Sequence, residues 1–129
     1  MALALNNYVT VPVIATTSPV GIYTAPAGYN AVVLCSQATN IDTIAQDVTL
    51  SLEREVSVGV AVTTYAAYEK PVASHDTIEM TTGRYTLNPG DIFKLSSSVN
   101  DKIHVTITVL ETLIWGINVW STKEISDLV

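Results

Sequence analysis

Period-two alternation of apolar and polar residues dominates this chain. It is cleanest in Ile103-His104-Val105-Thr106-Ile107-Thr108-Val109. Ile103, Val105, Ile107 and Val109 share one parity, and His104, Thr106 and Thr108 the other. Successive strand side chains point to opposite faces, so this pattern predicts an antiparallel strand with one face on a core. Val48-Thr49-Leu50-Ser51-Leu52-Glu53-Arg54 repeats the pattern, with Val48, Leu50 and Leu52 expected inward. A third strand is expected over 58–64, where valines alternate with Gly59, Ala61 and Thr63. Its small-residue face suits the close approach of another sheet or subunit. Further strands are expected over 8–15, 20–24, 29–38, 77–80, 84–87 and 91–97. Both faces of 29–38 are apolar, the expectation for a central strand covered on both sides.

Turn chemistry separates these runs. Asn88-Pro89-Gly90-Asp91 suits a type II turn, with Pro89 presetting φ and Gly90 accepting a positive one. Pro26-Ala27-Gly28 marks another turn, and Asn40 and Asp42 bracket a loop after the central strand. The body of the chain has no helical period. The expected fold is all-β: an antiparallel, jelly-roll-like β-sandwich of eight or nine short strands over residues 1–112, including an amino-terminal segment 1–19.

Residues 113–129 read as a carboxyl-terminal extension. Leu113-Ile114-Trp115-Gly116-Ile117-Asn118-Val119-Trp120 is apolar and carries both tryptophans. Ser121-Thr122-Lys123-Glu124 then has the form of a capping box, on a remainder too short for a stable helix alone. So apolar a segment must pack on something, either its own sheet or a neighbouring subunit. Docking on a neighbour is the expectation adopted, because Trp and Tyr commonly anchor interfaces. The contact residues expected are Ile114, Trp115, Ile117, Val119 and Trp120, with Tyr8, Val11 and Val13 second.

Composition strengthens the case for assembly. Of 129 residues, 48% are hydrophobic and only 14% charged, against about 25% charged in an average domain. Mean hydropathy is +0.35, yet no apolar run approaches the roughly 18 residues of a membrane span. Obligate interfaces are more apolar than ordinary surface. The net charge of −6 and the scattering of the six bases argue against direct nucleic-acid binding. Cys35 is the sole cysteine, so no internal disulfide forms, and its apolar surroundings predict a buried structural thiol. No Lys or Arg precedes Arg54, which removes the positive region of a signal peptide and points to synthesis in a cytosol.

Candidate chemistry is sparse. Ser74-His75-Asp76 contains the letters of a hydrolase triad, but adjacent strand side chains diverge, and a triad needs its contacts in series. His104 falls on a polar face. One Cys and two His exclude an ordinary structural zinc site. Asp42 with Asp47, or Asp91 with Asp101, offers calcium only widely spaced loop acids. No phosphate-binding or dinucleotide motif occurs. No catalytic residue, cofactor or metal is therefore expected. Tyr65 and Tyr68 are the best candidates for a glycan contact, and equally suit packing or an interface.

Tyr23-Thr24-Ala25-Pro26-Ala27-Gly28-Tyr29-Asn30-Ala31-Val32-Val33-Leu34, Ala38-Thr39-Asn40-Ile41-Asp42, Val48-Thr49-Leu50-Ser51-Leu52, Leu87-Asn88-Pro89-Gly90-Asp91 and Val105-Thr106-Ile107-Thr108-Val109-Leu110-Glu111 occur in that order. Together, over about residues 20–112, they resemble small β modules in virion proteins of tailed bacteriophages, including myophages of marine bacteria. The resemblance implies a non-enzymatic, repeated subunit of the head, neck, tail or fibres. Its partners would be copies of itself and major capsid, neck or tail proteins, with no nucleic acid and no membrane, on a virion assembled in the host cytoplasm. Two other classes remain: a host-surface glycan-binding module using Tyr65 and Tyr68, and a small jelly-roll enzyme.

Overall fold

The computed structural model describes residues 6–114. Nine strands follow one another: β1 Asn6–Ile14, β2 Val20–Thr24, β3 Tyr29–Asn40, β4 Gln46–Ser57, β5 Val60–Val72, β6 Thr77–Glu79, β7 Tyr85–Leu87, β8 Ile92–Ser97 and β9 Ile103–Leu113. They form two antiparallel sheets. One has the order β1-β9-β3-β6, with β7 also pairing β3; the other has the order β2-β8-β4-β5. The fold is the expected antiparallel β-sandwich.

Parity decides what each strand buries. On β9, Ile103, Val105, Ile107 and Val109 point inward, each 1% exposed or less. Val33 and Ala38 of β3 join them from one side, and Val9, Val11 and Val13 of β1 from the other. The second sheet answers with Val48 and Leu50 of β4, Phe93 and Leu95 of β8 and Tyr23 of β2. Met80, Leu87 and Val72 extend this single core. The Asn88–Asp91 turn forms as expected: the Asp91 N–H donates to the Asn88 carbonyl at 3.0 Å, and Gly90 has φ +89°. Asn40 fixes the following loop through its own amide. Its Oδ1 accepts from the Asp42 N–H, and its Nδ2 donates to the carbonyls of Ile44 and Val72.

Three expectations are corrected. The strand expected over 58–64 starts at Val60 and runs on to Val72 as β5, while Val58 and Gly59, with φ +75° at Gly59, form the turn of a hairpin with β4. Register shifts along β4–β5 break the period beyond Thr64 and hide that continuation. Among the described residues β3 is covered on one side only, since Leu34 is 41% exposed. A register shift between Val33 and Cys35 turns both Leu34 and Cys35 away from the core, so Cys35 is half-exposed instead of buried.

The inward row of β9 continues to Glu111, which is buried. Tyr23 donates its hydroxyl to Glu111 Oε2 at 2.5 Å across the sandwich, and Asn7 Nδ2 donates to Oε1 at 3.2 Å. Burial, then the hydrogen bond and charge of Glu111, raise the Tyr23 phenol well above its usual value. A group whose folded pKa is raised stabilises the fold below its unfolded pKa, about 10 for tyrosine, and loses that contribution as pH rises. Tyr23→Phe is expected to cost about 1–3 kcal/mol at neutral pH, because Glu111 loses a buried donor. The variant should also lose less stability than the parent between pH 9 and about 11. Urea denaturation across that range checks both, and parallel curves would refute the pairing.

Candidate functional site

Two surfaces exceed what the fold itself requires. The first is the far half of the β4–β5 hairpin. Every residue of 60–65 is exposed, although the run Val60-Ala61-Val62-Thr63-Thr64-Tyr65 has no charge. Val56 is 60% exposed, Val58 97%, Val60 50% and Val62 45%. The pairs Arg54↔Val62 and Glu55↔Ala61 place apolar side chains on both faces of this ribbon. β5 is also the edge of its sheet, with β4 as its neighbour. A long, uncharged, apolar edge is a template for pairing with another chain, and a two-stranded ribbon alone is marginal in water.

The root of the hairpin is clamped. Arg54 Nε donates to Asp91 Oδ1 and Oδ2 at 3.0 and 2.9 Å, and Nη2 donates to Oδ2 at 2.6 Å. Asp91, 2% exposed, also accepts from the Asn88 N–H at 2.7 Å. The hydrogen bond to Asp91 raises the Arg54 pKa. The type II turn and the hairpin base are thereby tied through one carboxylate.

The second surface is the outer face of the β2-β8-β4-β5 sheet. Two adjoining concavities of ≈ 360 and ≈ 320 Å³ share Thr49, Glu69 and Ser96. Tyr65 and Tyr68 border the larger, with ring centroids 4.7 Å apart in an edge-to-face arrangement. Backbone irregularity aims them. Between Ser51↔Tyr65 and Val48↔Lys70, β5 contains more residues than β4. Such bulges re-aim side chains. Glu69 takes φ +46°, a conformation L-residues avoid, and its N–H is held by Thr49 Oγ1 at 3.0 Å. Lys94 pairs with Glu53 at 2.9 Å beside them.

Of the contact residues expected from sequence, those described fall on different faces. Tyr8 is 72% exposed on the outer face of β1, opposite Leu110, which in turn faces Val32 of β3. Val11 and Val13 are half-buried and pack against their own core. The Ile114 N–H donates to the Gly28 carbonyl at 2.9 Å, so backbone pairing continues one residue past β9. Trp115, Ile117, Val119 and Trp120 lie outside the described residues. Tyr65 and Tyr68 come together as a pair.

The polar groups of the Asp42 and Ser74–Asp76 loops have local partners. Ser74 Oγ lies 3.2 Å from His75 Nδ1 but also donates to the Asp42 carbonyl, while Asp76 accepts from the Thr77 N–H. Asp42 accepts from the Thr43 N–H and from Gln46 Nε2, which lower its pKa. Among the described residues, no group of three or more His, Cys, Asp or Glu could hold a metal ion.

Sequence reasoning missed the hairpin tip and the Arg54–Asp91 clamp. A signal for the tip was present: Val56, Val58, Val60 and Val62 carry apolar parity straight through a glycine turn. The clamp had none, since its members lie 37 positions apart.

No family model and no curated protein matches the chain. Solved structures do. A chain of the acid-stable capsid of Helicobacter pylori bacteriophage KHP30 has a TM-score of 0.52 at 12% identity, over 85% of this chain and 89% of that one. The likeness is one of fold. A chain of Bacillus endospore appendages, a family of disulfide-linked pili, has a TM-score of 0.49 at 16% identity, over 88% of this chain and 96% of that one.

Proposed function

We propose that the protein is a non-enzymatic structural subunit of a tailed-phage virion, self-associating and decorating or reinforcing the head or the neck and tail. The observation that carries the assembly reading is the hairpin tip, an apolar ribbon with a free edge that nothing among the described residues covers. Burying its valines against a second copy removes apolar surface from water, at about 25 cal/mol per Å². It also gives the unpaired edge of β5 hydrogen-bond partners. The rigid sandwich supplies shape, and many weak contacts summed over a lattice become strong through effective concentration. The turn-and-strand pattern over residues 20–112 and the fold likeness to a phage-capsid chain support the particle setting. The jelly-roll-like reading rests on the chain's passage between the sheets, which gives the orders β1-β9-β3-β6 and β2-β8-β4-β5.

Charging the edge tests this reading. Light-scattering mass of the full chain is expected to exceed that of a monomer. The double substitution Val60→Lys/Val62→Lys should reduce it to the monomer, because lysines on an edge oppose strand pairing. Both positions are solvent-exposed, so the fold should persist. An oligomer of unchanged mass would remove the hairpin from the interface, and deletion after Leu113 in the same assay reports on the carboxyl-terminal segment.

A further inference from the structure

We infer that the outer face of the β2-β8-β4-β5 sheet is a binding site for a neutral saccharide, centred on the Tyr65–Tyr68 pair. The aromatic half comes first. Tyr65 and Tyr68 are 55% and 62% exposed, yet each ring is held edge-to-face by the other. A preset aromatic surface loses little side-chain freedom on binding. Its electron-rich ring face suits the C–H face of a pyranose, whose hydrogens carry slight positive charge.

The polar half fits the same ligand. Ser51, Ser96, Thr63 and Thr49 line the larger concavity beside the rings. Each hydroxyl both donates and accepts, as a sugar hydroxyl demands. Glu69 is delivered to the shared wall by the bulge and adds a carboxylate that can accept from neighbouring sugar hydroxyls. Charge narrows the class. Lys94 is paired with Glu53, whereas Asp47 and Glu69 form no ion pair among the described residues. The face is therefore weakly negative and disfavours phosphorylated or sialylated ligands. Each concavity lies near the lower end of the roughly 300–1,000 Å³ typical of ligand sites, and their shared wall makes them neighbouring subsites.

The hairpin valines take no part in its walls, although Thr63 and Tyr65 belong both to the groove and to the exposed run 60–65. A printed array of neutral and sialylated glycans, probed with the full chain, tests it. Binding to at least one neutral glycan is expected, with sialylated members excluded. Tyr65→Ala and Tyr68→Ala should each weaken it by about tenfold or more, equivalent to about 1.4 kcal/mol. Tyr68→Phe should retain most of it, and His104→Ala, exposed on the outer face of the opposite sheet, should leave it unchanged. Both tyrosines are exposed, and unchanged thermal melting confirms that the variants fold. No neutral glycan bound, binding only to sialylated glycans, or binding indifferent to both alanine substitutions overturns the proposal. A fall in oligomeric mass on Tyr65→Ala with glycan binding intact would instead make this face a protein contact.

Discussion

Phe93→Ala is expected to destabilise the protein by about 3–5 kcal/mol, the usual cost of emptying an aromatic site in a close-packed core. Phe93 is 0% exposed and lies in β8, paired with Tyr23 on one side and Leu52 on the other. Its ring tilts against Tyr85 from the opposite sheet at a centroid distance of 6.1 Å. Among the described residues it is the largest side chain buried to this degree, so it fills space that no neighbour can enter without moving backbone. Strands on both sides hold β8 in register, which limits collapse around the void. Phe93→Leu should cost much less, because it retains most of the volume. Urea denaturation of the two variants measures the difference. A loss below about 1 kcal/mol for alanine would mean that the two sheets close together freely.

Asp91→Ala is expected to cost about 3 kcal/mol, at the lower end of what breaking a buried ion pair costs. The lower end applies because the Arg54 side chain is 39% exposed and its guanidinium can regain water, whereas the Asp91 side chain is 3% exposed. The loss has two parts: the charge on the Arg54 partner and the acceptor for the Asn88 N–H. Asp91→Asn separates them, since an amide oxygen still accepts from Asn88 but no longer neutralises arginine. It should fall between the parent and alanine. Loosening should concentrate at the hairpin base, so amide exchange over 54–64 should rise more than exchange in β9. Uniform acceleration throughout the sandwich would show that Asp91 supports the fold as a whole and not the hairpin base in particular.

The strands were legible wherever their two faces met different surroundings. β9 buries one parity and wets the other, so Ile103 to Val109 announced it. β2 and β8 were bounded by Thr24 and by the Asn88–Asp91 turn, whose chemistry admits few alternatives. Where the backbone departs from period two, reading by parity failed. A bulge turns Leu34 and Cys35 to the same side of β3, and two register shifts carry β5 past Tyr65 with its alternation broken. Tyr65 and Tyr68 were legible as aromatics three positions apart. Their edge-to-face contact was not, because at an ordinary strand spacing they would point to opposite faces. Glu111 was within reach, since it continues the inward row of β9, but only donors from distant strands, Tyr23 and Asn7, make a buried carboxylate tolerable there.

The sequence by itself determined the all-β class, the positions of the strands that keep period two and the type II turn at Gly90. These depend on local sterics and on alternation between oil and water, which neighbouring residues encode directly. Tertiary structure alone decided that 58–59 closes a hairpin whose valines find no cover among the described residues, that Asp91 clamps Arg54 and that two tyrosines meet above a polar groove. Each of these depends on which strand lies beside which, and the free energy of such contacts is set by distant partners brought within a few ångströms.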